Sequence, residues 1–339
     1  MLTISVCIPG TRPDRLGRCL KTLKDQQPSG TRVEVLVCAQ ANGVAEETLA
    51  HIPDAVVLTL RRPNPRVARN LLLERARGDL LLFLDDDVVA PPGLLANLVR
   101  LAHRYPDVDV FGGPNLTPPG SPRFETIEGA VLGSPFASGP VYRRYRRSRG
   151  RLADDRSFTL CNLAVRREAM LPFVTEIGGG EENALLMELE RRGSKMRYES
   201  DLLVYHGRRP TLRTFASQMV KYGLGRGHVV RRSPRTLRPA YFVPTALLAY
   251  LIVVPALVTL TPWLLIPLML YALALTIGAL VVATGLRDLT AAPLAAVLIT
   301  TTHLCYAAGT VLAFVRPMKH LSHLPDLRHT LFPDPDSVD

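Results

Sequence analysis

Three consecutive carboxylates, Asp85-Asp86-Asp87, follow the apolar run Leu80-Leu81-Leu82-Phe83-Leu84. A buried strand that ends in clustered Asp presents hard oxygen ligands to a divalent cation at the carboxyl edge of a parallel sheet. Like charges crowded at such a point need a cation to neutralise them. The competing reading is an acidic helix start, because Pro91-Pro92-Gly93 leads into an amphipathic run over 94–105. Asp87 lies four residues before Pro91, too far to cap that helix, so a metal or nucleotide site is preferred.

Two further stretches carry groups that could act on a ligand. Gly178-Gly179-Gly180-Glu181-Glu182-Asn183 is a glycine lead into a helix bearing Leu185, Leu186 and Leu189. Its carboxylates either complement the helix dipole or, with glycines allowing close approach, provide a base. His206 stands at the end of the second of two short strands, 195–198 and 202–205, as a satisfied polar residue or as a third cation ligand. The basic run over 142–151, with Arg143, Arg144, Arg146, Arg147, Arg149 and Arg151, reads as a solvated loop or as a contact with lipid phosphate or a pyrophosphate.

These groups need a scaffold, and the hydropathy pattern supplies one. A strand over 3–9 precedes Leu16, Leu20 and Leu23 at helical spacing. Strands over 33–37 and 55–60 follow, then a helix with Val67 and Leu71 on one face, then the strand ending at Asp85. Strands alternating with helices imply right-handed crossovers and a parallel sheet, with ligands at its carboxyl edge.

Beyond residue 238 the character changes. Residues 239–286 contain no charge and no His, and 289–315 are interrupted only by His303. As one helix, 48 residues would reach ~72 Å, more than twice a ~30 Å hydrocarbon core. Thr261-Pro262 is the expected turn, giving spans near 240–260 and 263–285, with a third over 289–315. The predicted organisation is a domain over 1–225, a basic linker over 226–238, a transmembrane region of about three helices over 239–316 and a polar tail over 317–339. The opening residues read as a strand and not a secretory signal, which places the domain in the cytoplasm. Arg231, Arg232, Arg235 and Arg238 before the first span agree with that side, whereas Arg316, Lys319 and Arg328 after the third conflict with three crossings. The formal charge of +11 fits anionic membrane lipid. No aromatic-basic interleaving points to nucleic acid. Five cysteines, at 7, 19, 38, 161 and 305, lack metal-ligand spacing and read as reduced core residues.

Taken in order, Ser5-Val6-Cys7-Ile8-Pro9, Ala68-Arg69-Asn70, Phe83 to Asp87, Gly180-Glu181-Glu182 and Val204-Tyr205-His206 resemble the family 2 glycosyltransferases of the GT-A fold, over roughly 1–225. Gln218-Met219-Val220-Lys221-Tyr222 is similar to the Gln-x-x-Arg-Trp element of membrane-tethered members that build exopolysaccharide on lipid carriers. The resemblance implies an α/β fold, a mixed Rossmann-like sheet with helices on both faces. It implies a donor diphosphate held through Mg²⁺ or Mn²⁺ at Asp85 and Asp87, with Asp86 between them and His206 as a further ligand. Glu182 maps to the base. Pro9, Thr11, Arg66 and Asn70 fall on the donor nucleotide wall, and Glu181, Gln218, Lys221 and Tyr222 at the acceptor or diphosphate end. The segment 212–230 becomes an interfacial amphipathic helix. Departures from the family are Cys38-Ala39-Gln40-Ala41-Asn42 where an Asp is usual, Glu182 for Asp and Lys221 for Arg.

The expected function is inverting transfer of one sugar from a nucleotide sugar to a lipid-linked acceptor at the inner (plasma) membrane, by a multi-pass protein with its catalytic domain cytoplasmic. The alternatives are a polyprenyl-phosphate glycosyl synthase and a non-catalytic nucleotide-binding membrane scaffold. Membrane spans without acidic residues argue against ion-coupled transport.

Overall fold

The structure is a computed structural model that describes residues 1–10, 13–40, 51–52, 54–60, 64–174, 180–259 and 261–315. Thr11, Gly178, Gly179 and the basic residues after 315 lie outside the described residues.

The strands are β1 (Leu2–Gly10), β2 (Thr31–Gln40), β3 (Val56–Leu60), β4 (Leu80–Leu84), β5 (Val88–Val89), β6 (Val110–Gly112), β7 (Asn115–Leu116), β8 (Arg151–Ala153), β9 (Asn162–Arg166), β10 (Met196–Tyr198) and β11 (Val204–His206). Eight form one mixed sheet in the order β3-β2-β1-β4-β9-β6-β10-β8. Its first four strands are parallel, as the alternating pattern requires. β9 then runs antiparallel to both β4 and β6, β10 is parallel to β6, and β8 is antiparallel to β10. A small second sheet has the order β5-β11-β7.

The helices are α1 (Pro13–Leu23), α2 (Pro65–Arg75), α3 (Leu94–Arg104), α4 (Arg123–Leu132), the short α5 (Pro135–Ser138), α6 (Glu181–Arg191), α7 (Leu212–Arg232), α8 (Val243–Leu257), α9 (Leu265–Gly285) and α10 (Ala292–Val315). Side chains alternate across a strand, so β4 feeds two cores. Leu80, Leu82 and Leu84 pack with Leu16 and Leu20 of α1 and Leu95 and Leu98 of α3. Leu81 and Phe83 pack on the other face with Ala68 and Leu72 of α2 and Leu185, Leu186 and Leu189 of α6. Burial on both faces is why this strand reads as an unbroken apolar run. Each such side chain contributes about 2 kcal/mol, which fixes the point where Asp85 emerges. All five cysteines are free, and four of them are buried.

A third core joins the apolar C-terminal helices to the domain. Ile127 and Val131 of α4 and Phe215 and Met219 of α7 pack with Ala279 and Val282 of α9 and Ala295, Leu298 and Ile299 of α10. Small residues bring α7 and α10 together. A Cβ added at Gly223 would run into the Tyr306 carbonyl, and one at Gly309 into the Val220 carbonyl.

The expectation of three membrane spans is corrected here. α8 has 15 residues, about 22 Å of helix, too short for a ~30 Å core. Two segments, Pro262–Gly285 and Leu289–Val315, are long and apolar enough to cross a membrane by length and composition. The second, however, buries a stripe from Ala295 through Leu298, Ile299, Thr302, Ala307 and Thr310 to Ala313 against the domain, so its apolar character has a structural use without a crossing. The multi-pass expectation therefore lacks support. Helix α7 is amphipathic as expected, but its glycine face is covered by protein.

Candidate active site

Strand register assembles the first group. β4 ends at Leu84, which puts Asp85 at its carboxyl edge. β5 pairs antiparallel with β11 so that Val88 faces His206, and this carries the preceding Asp87 to the imidazole. Ligand atoms of Asp85, Asp87 and His206 all lie within 4.8 Å of one another. His206 Nε2 stands 2.9 Å from Asp87 Oδ1, and Arg15 Nη1 holds Asp87 Oδ2 at 3.1 Å. Two carboxylates and one imidazole converging at this spacing can hold a divalent cation. Asp86 is not one of these three and is 1% exposed.

Arg69 links this group to the next. Its Nη2 donates to Asp85 Oδ1 and its Nη1 to Glu181 Oε1, both at 2.9 Å, from a buried position on α2. Asn64 caps that helix by accepting from the Arg66 and Val67 amides, and Pro65 occupies its first turn. The neighbouring Asn70 is committed elsewhere. Its Nδ2 donates to the Phe173 carbonyl at 3.0 Å, and its Oδ1 accepts from the Phe173 amide at 2.8 Å. It clamps a loop, while Arg69 reaches the site. Pro9 is buried at the end of β1, and Arg66 is partly buried at the start of α2.

Gly180 precedes α6 with φ 79°, a conformation that strains any residue with a Cβ. That turn aims the first residues of α6 at a cavity of about 710 Å³, lined by Glu181, Glu182 and Asn183 together with Arg69, Asp85 and His206. Burial first, and the adjacent Glu181 second, push the Glu182 carboxyl above the ordinary range against the pull of Arg144. A carboxylate tuned upward in a cleft suits proton abstraction near neutral pH.

The far side of the cavity is cationic. Asn183 Oδ1 accepts from Arg144 Nη2 at 3.0 Å and Arg226 Nη2 at 3.2 Å, while Asn183 Nδ2 donates to Glu182 Oε1 at 3.1 Å. Arg144 also donates to the Arg156 and Asp155 carbonyls. Of the two readings of the basic run, solvated loop or phosphate contact, the first does not hold for Arg144, which is 7% exposed. Arg238, expected at the lipid surface, instead pairs with the buried Asp155 at 2.8 Å. Gln218 donates to the Tyr222 hydroxyl at 2.9 Å; Lys221 and Tyr222 line the cavity.

Arg69, Asn183 and Arg226 were not singled out by sequence as site residues, and Arg144 only as one of a basic run that could meet a phosphate. Arg69 carried a signal, a charged residue beside Ala68 on the inward face of α2. Arg226 carried another, an Arg among Gly223, Gly225 and Gly227 on the packed face of a helix.

Residues 5–170 match the model described as Glycosyl transferase family 2. The solved mannosyltransferase PcManGT from Pyrobaculum calidifontis, in complex with GDP-Man and Mn²⁺, is similar over 92% of this chain and 87% of that one, with TM-score 0.55 and 18% identity. S. aureus TarS 1–349 in complex with UDP-GlcNAc is similar over 92% of this chain and 91% of that one, at TM-score 0.47 and 15% identity. A comparison with curated protein sequences gives no match. At 18% identity the likeness to the mannosyltransferase shows the fold, a GT-A-like mixed sheet. Residues 5–170 are therefore a glycosyl transferase family 2 domain, and the chain that carries them is a glycosyltransferase.

Proposed function

We propose that this enzyme transfers one sugar, with inversion, from a nucleotide-sugar donor to a lipid-linked acceptor at the cytoplasmic face of a membrane. The observation that carries this reading is the continuity of the cavity. It runs from Asp85, His206, Glu181 and Glu182 to Phe136, Val243, Pro244, Leu247 and Tyr271 on the apolar helices, so one space offers acid–base groups and a wall for a hydrocarbon chain.

A divalent cation held by Asp85, Asp87 and His206 would neutralise the charge developing on the departing nucleoside diphosphate. The mixed oxygen and nitrogen donors favour Mn²⁺ over Mg²⁺, which prefers oxygen. The mannosyltransferase with the same fold was solved with GDP-Man and Mn²⁺, which supports this donor class. Arg69 holds Asp85 and Glu181 in place. Glu182 accepts the proton of the acceptor hydroxyl while that oxygen bonds to the anomeric carbon. The bond from that carbon to the diphosphate breaks, and its electron pair leaves with the diphosphate. Attack opposite the leaving group inverts the configuration.

Membrane association is supported by the exposed apolar faces of α8 and α9, with Ile252, Val253, Met269, Leu270 and Leu273 all more than half exposed. These helices are suited to lie in the interface, their outer faces in lipid and their inner faces on the domain. A layer that does not cross is free of the charge conflict that the three-span reading met in the sequence.

The test is a screen of nucleotide sugars for Mn²⁺-dependent thermal stabilisation of the full chain, since a ligand that binds only the folded state raises its apparent stability. One donor should stabilise only with the cation, and that donor should support transfer to a polyprenyl-linked acceptor. Stabilisation without transfer to any lipid-linked acceptor would remove the lipid part of the proposal.

A further inference from the structure

Arg144 and Arg226 are each 7% exposed, and both line the cavity. Their polar partners are neutral: Asn183 Oδ1 for both, two backbone carbonyls for Arg144 and the Tyr306 hydroxyl for Arg226. Arg226 Nη1 is buried without a hydrogen-bond partner among the described residues, and its guanidinium stacks 3.9 Å from the Tyr241 ring centre. Neither guanidinium pairs with a carboxylate among the described residues. Two buried cations with no carboxylate in direct contact are costly even with Glu182 nearby, and two converging guanidinium forks match the oxygens of a phosphate ester.

The position of the pair says which phosphate. Asn183 touches Glu182 through its amide nitrogen and both arginines through its oxygen, so the pair lies next to the base. The same cavity is also walled by Val243, Pro244, Leu247 and Tyr306, with Tyr241 beside Arg226. An anion there would have its ester substituent directed along apolar wall.

We propose that Arg144 and Arg226, joined by Asn183, form the binding site for the phosphate headgroup of a lipid acceptor, whose hydrocarbon chain follows the wall built by α8 and Tyr306. This deepens the function proposed above and rests on it for the identity of the acceptor as a lipid. The site presents the headgroup beside Glu182, and the donor diphosphate occupies the opposite end at Asp85 and Asp87.

The test measures equilibrium binding of farnesyl phosphate, farnesol and inorganic phosphate to the detergent-solubilised full chain, and to Arg226→Met. Wild type should bind farnesyl phosphate at least tenfold more tightly than either fragment, a difference of about 1.4 kcal/mol. Arg226→Met should lose at least tenfold for farnesyl phosphate and leave Mn²⁺-dependent nucleotide-sugar binding within twofold. Equal affinity of wild type for farnesol and farnesyl phosphate overturns the proposal. Inorganic phosphate binding as tightly as farnesyl phosphate assigns the pair to a free anion and also overturns it. So does Arg226→Met that loses nucleotide binding in parallel, because the pair would then serve the donor. If that variant does not fold, the three wild-type affinities decide alone. Farnesyl phosphate held through Arg226 without sugar transfer to any lipid acceptor would sink the proposed function and leave this site standing; transfer that survives Arg226→Met at full acceptor affinity would do the reverse.

Discussion

The two ends of the cavity differ in charge and in how the chain builds them. Asp85, Asp87 and His206 form an acidic end from one strand terminus and one antiparallel pairing, Val88 with His206. Arg144, Asn183 and Arg226 form a cationic end from a short helical turn, the start of α6 and the middle of α7. Arg69 and Glu181 couple the acidic end to α6, whose next residue, Glu182, lies between the two. On the proposed reading the enzyme joins two anionic substrates that repel each other, and separating the two ends would relieve that repulsion: one phosphate group would be met by a cation on carboxylates, the other by guanidinium groups.

The strongest way to break this division is at the acidic end. Asp87→Ala removes a ligand atom and should lower transfer by about 10³-fold or more, on the order of 4 kcal/mol in the barrier, with loss of Mn²⁺-dependent donor stabilisation. Transfer at wild-type rate by that variant would disprove the cation site. The next effect lies between the ends. Glu182→Gln should cost about 10²- to 10⁴-fold in kcat while donor binding persists. As the proposed base, Glu182 works deprotonated, and burial with Glu181 raises its pKa, so wild-type activity should climb with pH through a limb above the ordinary carboxylate range. That limb should vanish in the residual activity of Glu182→Gln; its persistence would assign it to another group. The smallest effect is on the support of the cationic end. Gly223→Ala places a methyl group against the Tyr306 carbonyl and should destabilise the α7–α10 contact by about 1–3 kcal/mol. Chemical denaturation would measure the loss, and unchanged stability would mean that the helices separate freely.

Legibility followed locality. The unbroken run from Leu80 to Leu84 marked a strand buried on both faces and the carboxylates at its end, because burial on two sides demands apolar residues at every position. Glu181 and Glu182 were legible as first-turn acids after glycine. His206 was legible as a strand end but not as a neighbour of Asp87, since that neighbourhood is made by pairing across 118 residues, from Val88 to His206. Asn70 and Arg69 are adjacent in sequence. Only the helix orientation decided that Arg69 enters the site and Asn70 clamps Phe173.

The apolar C-terminal helices show the same limit. Composition alone determined that residues 239–315 avoid water, since few charges interrupt them. Composition does not distinguish lipid from a protein surface as the place where that avoidance is satisfied, because both exclude water equally well. The tertiary structure decided that α10 spends one stripe on α4 and α7, that α8 is too short to span, and that the remaining apolar faces point outward. It also decided the fate of the basic residues. A guanidinium is hydrophilic in any sequence, and its burial beside Asn183 arises from helices that meet through Gly223, Gly227 and Gly309, a fact of packing geometry that residue type alone does not encode.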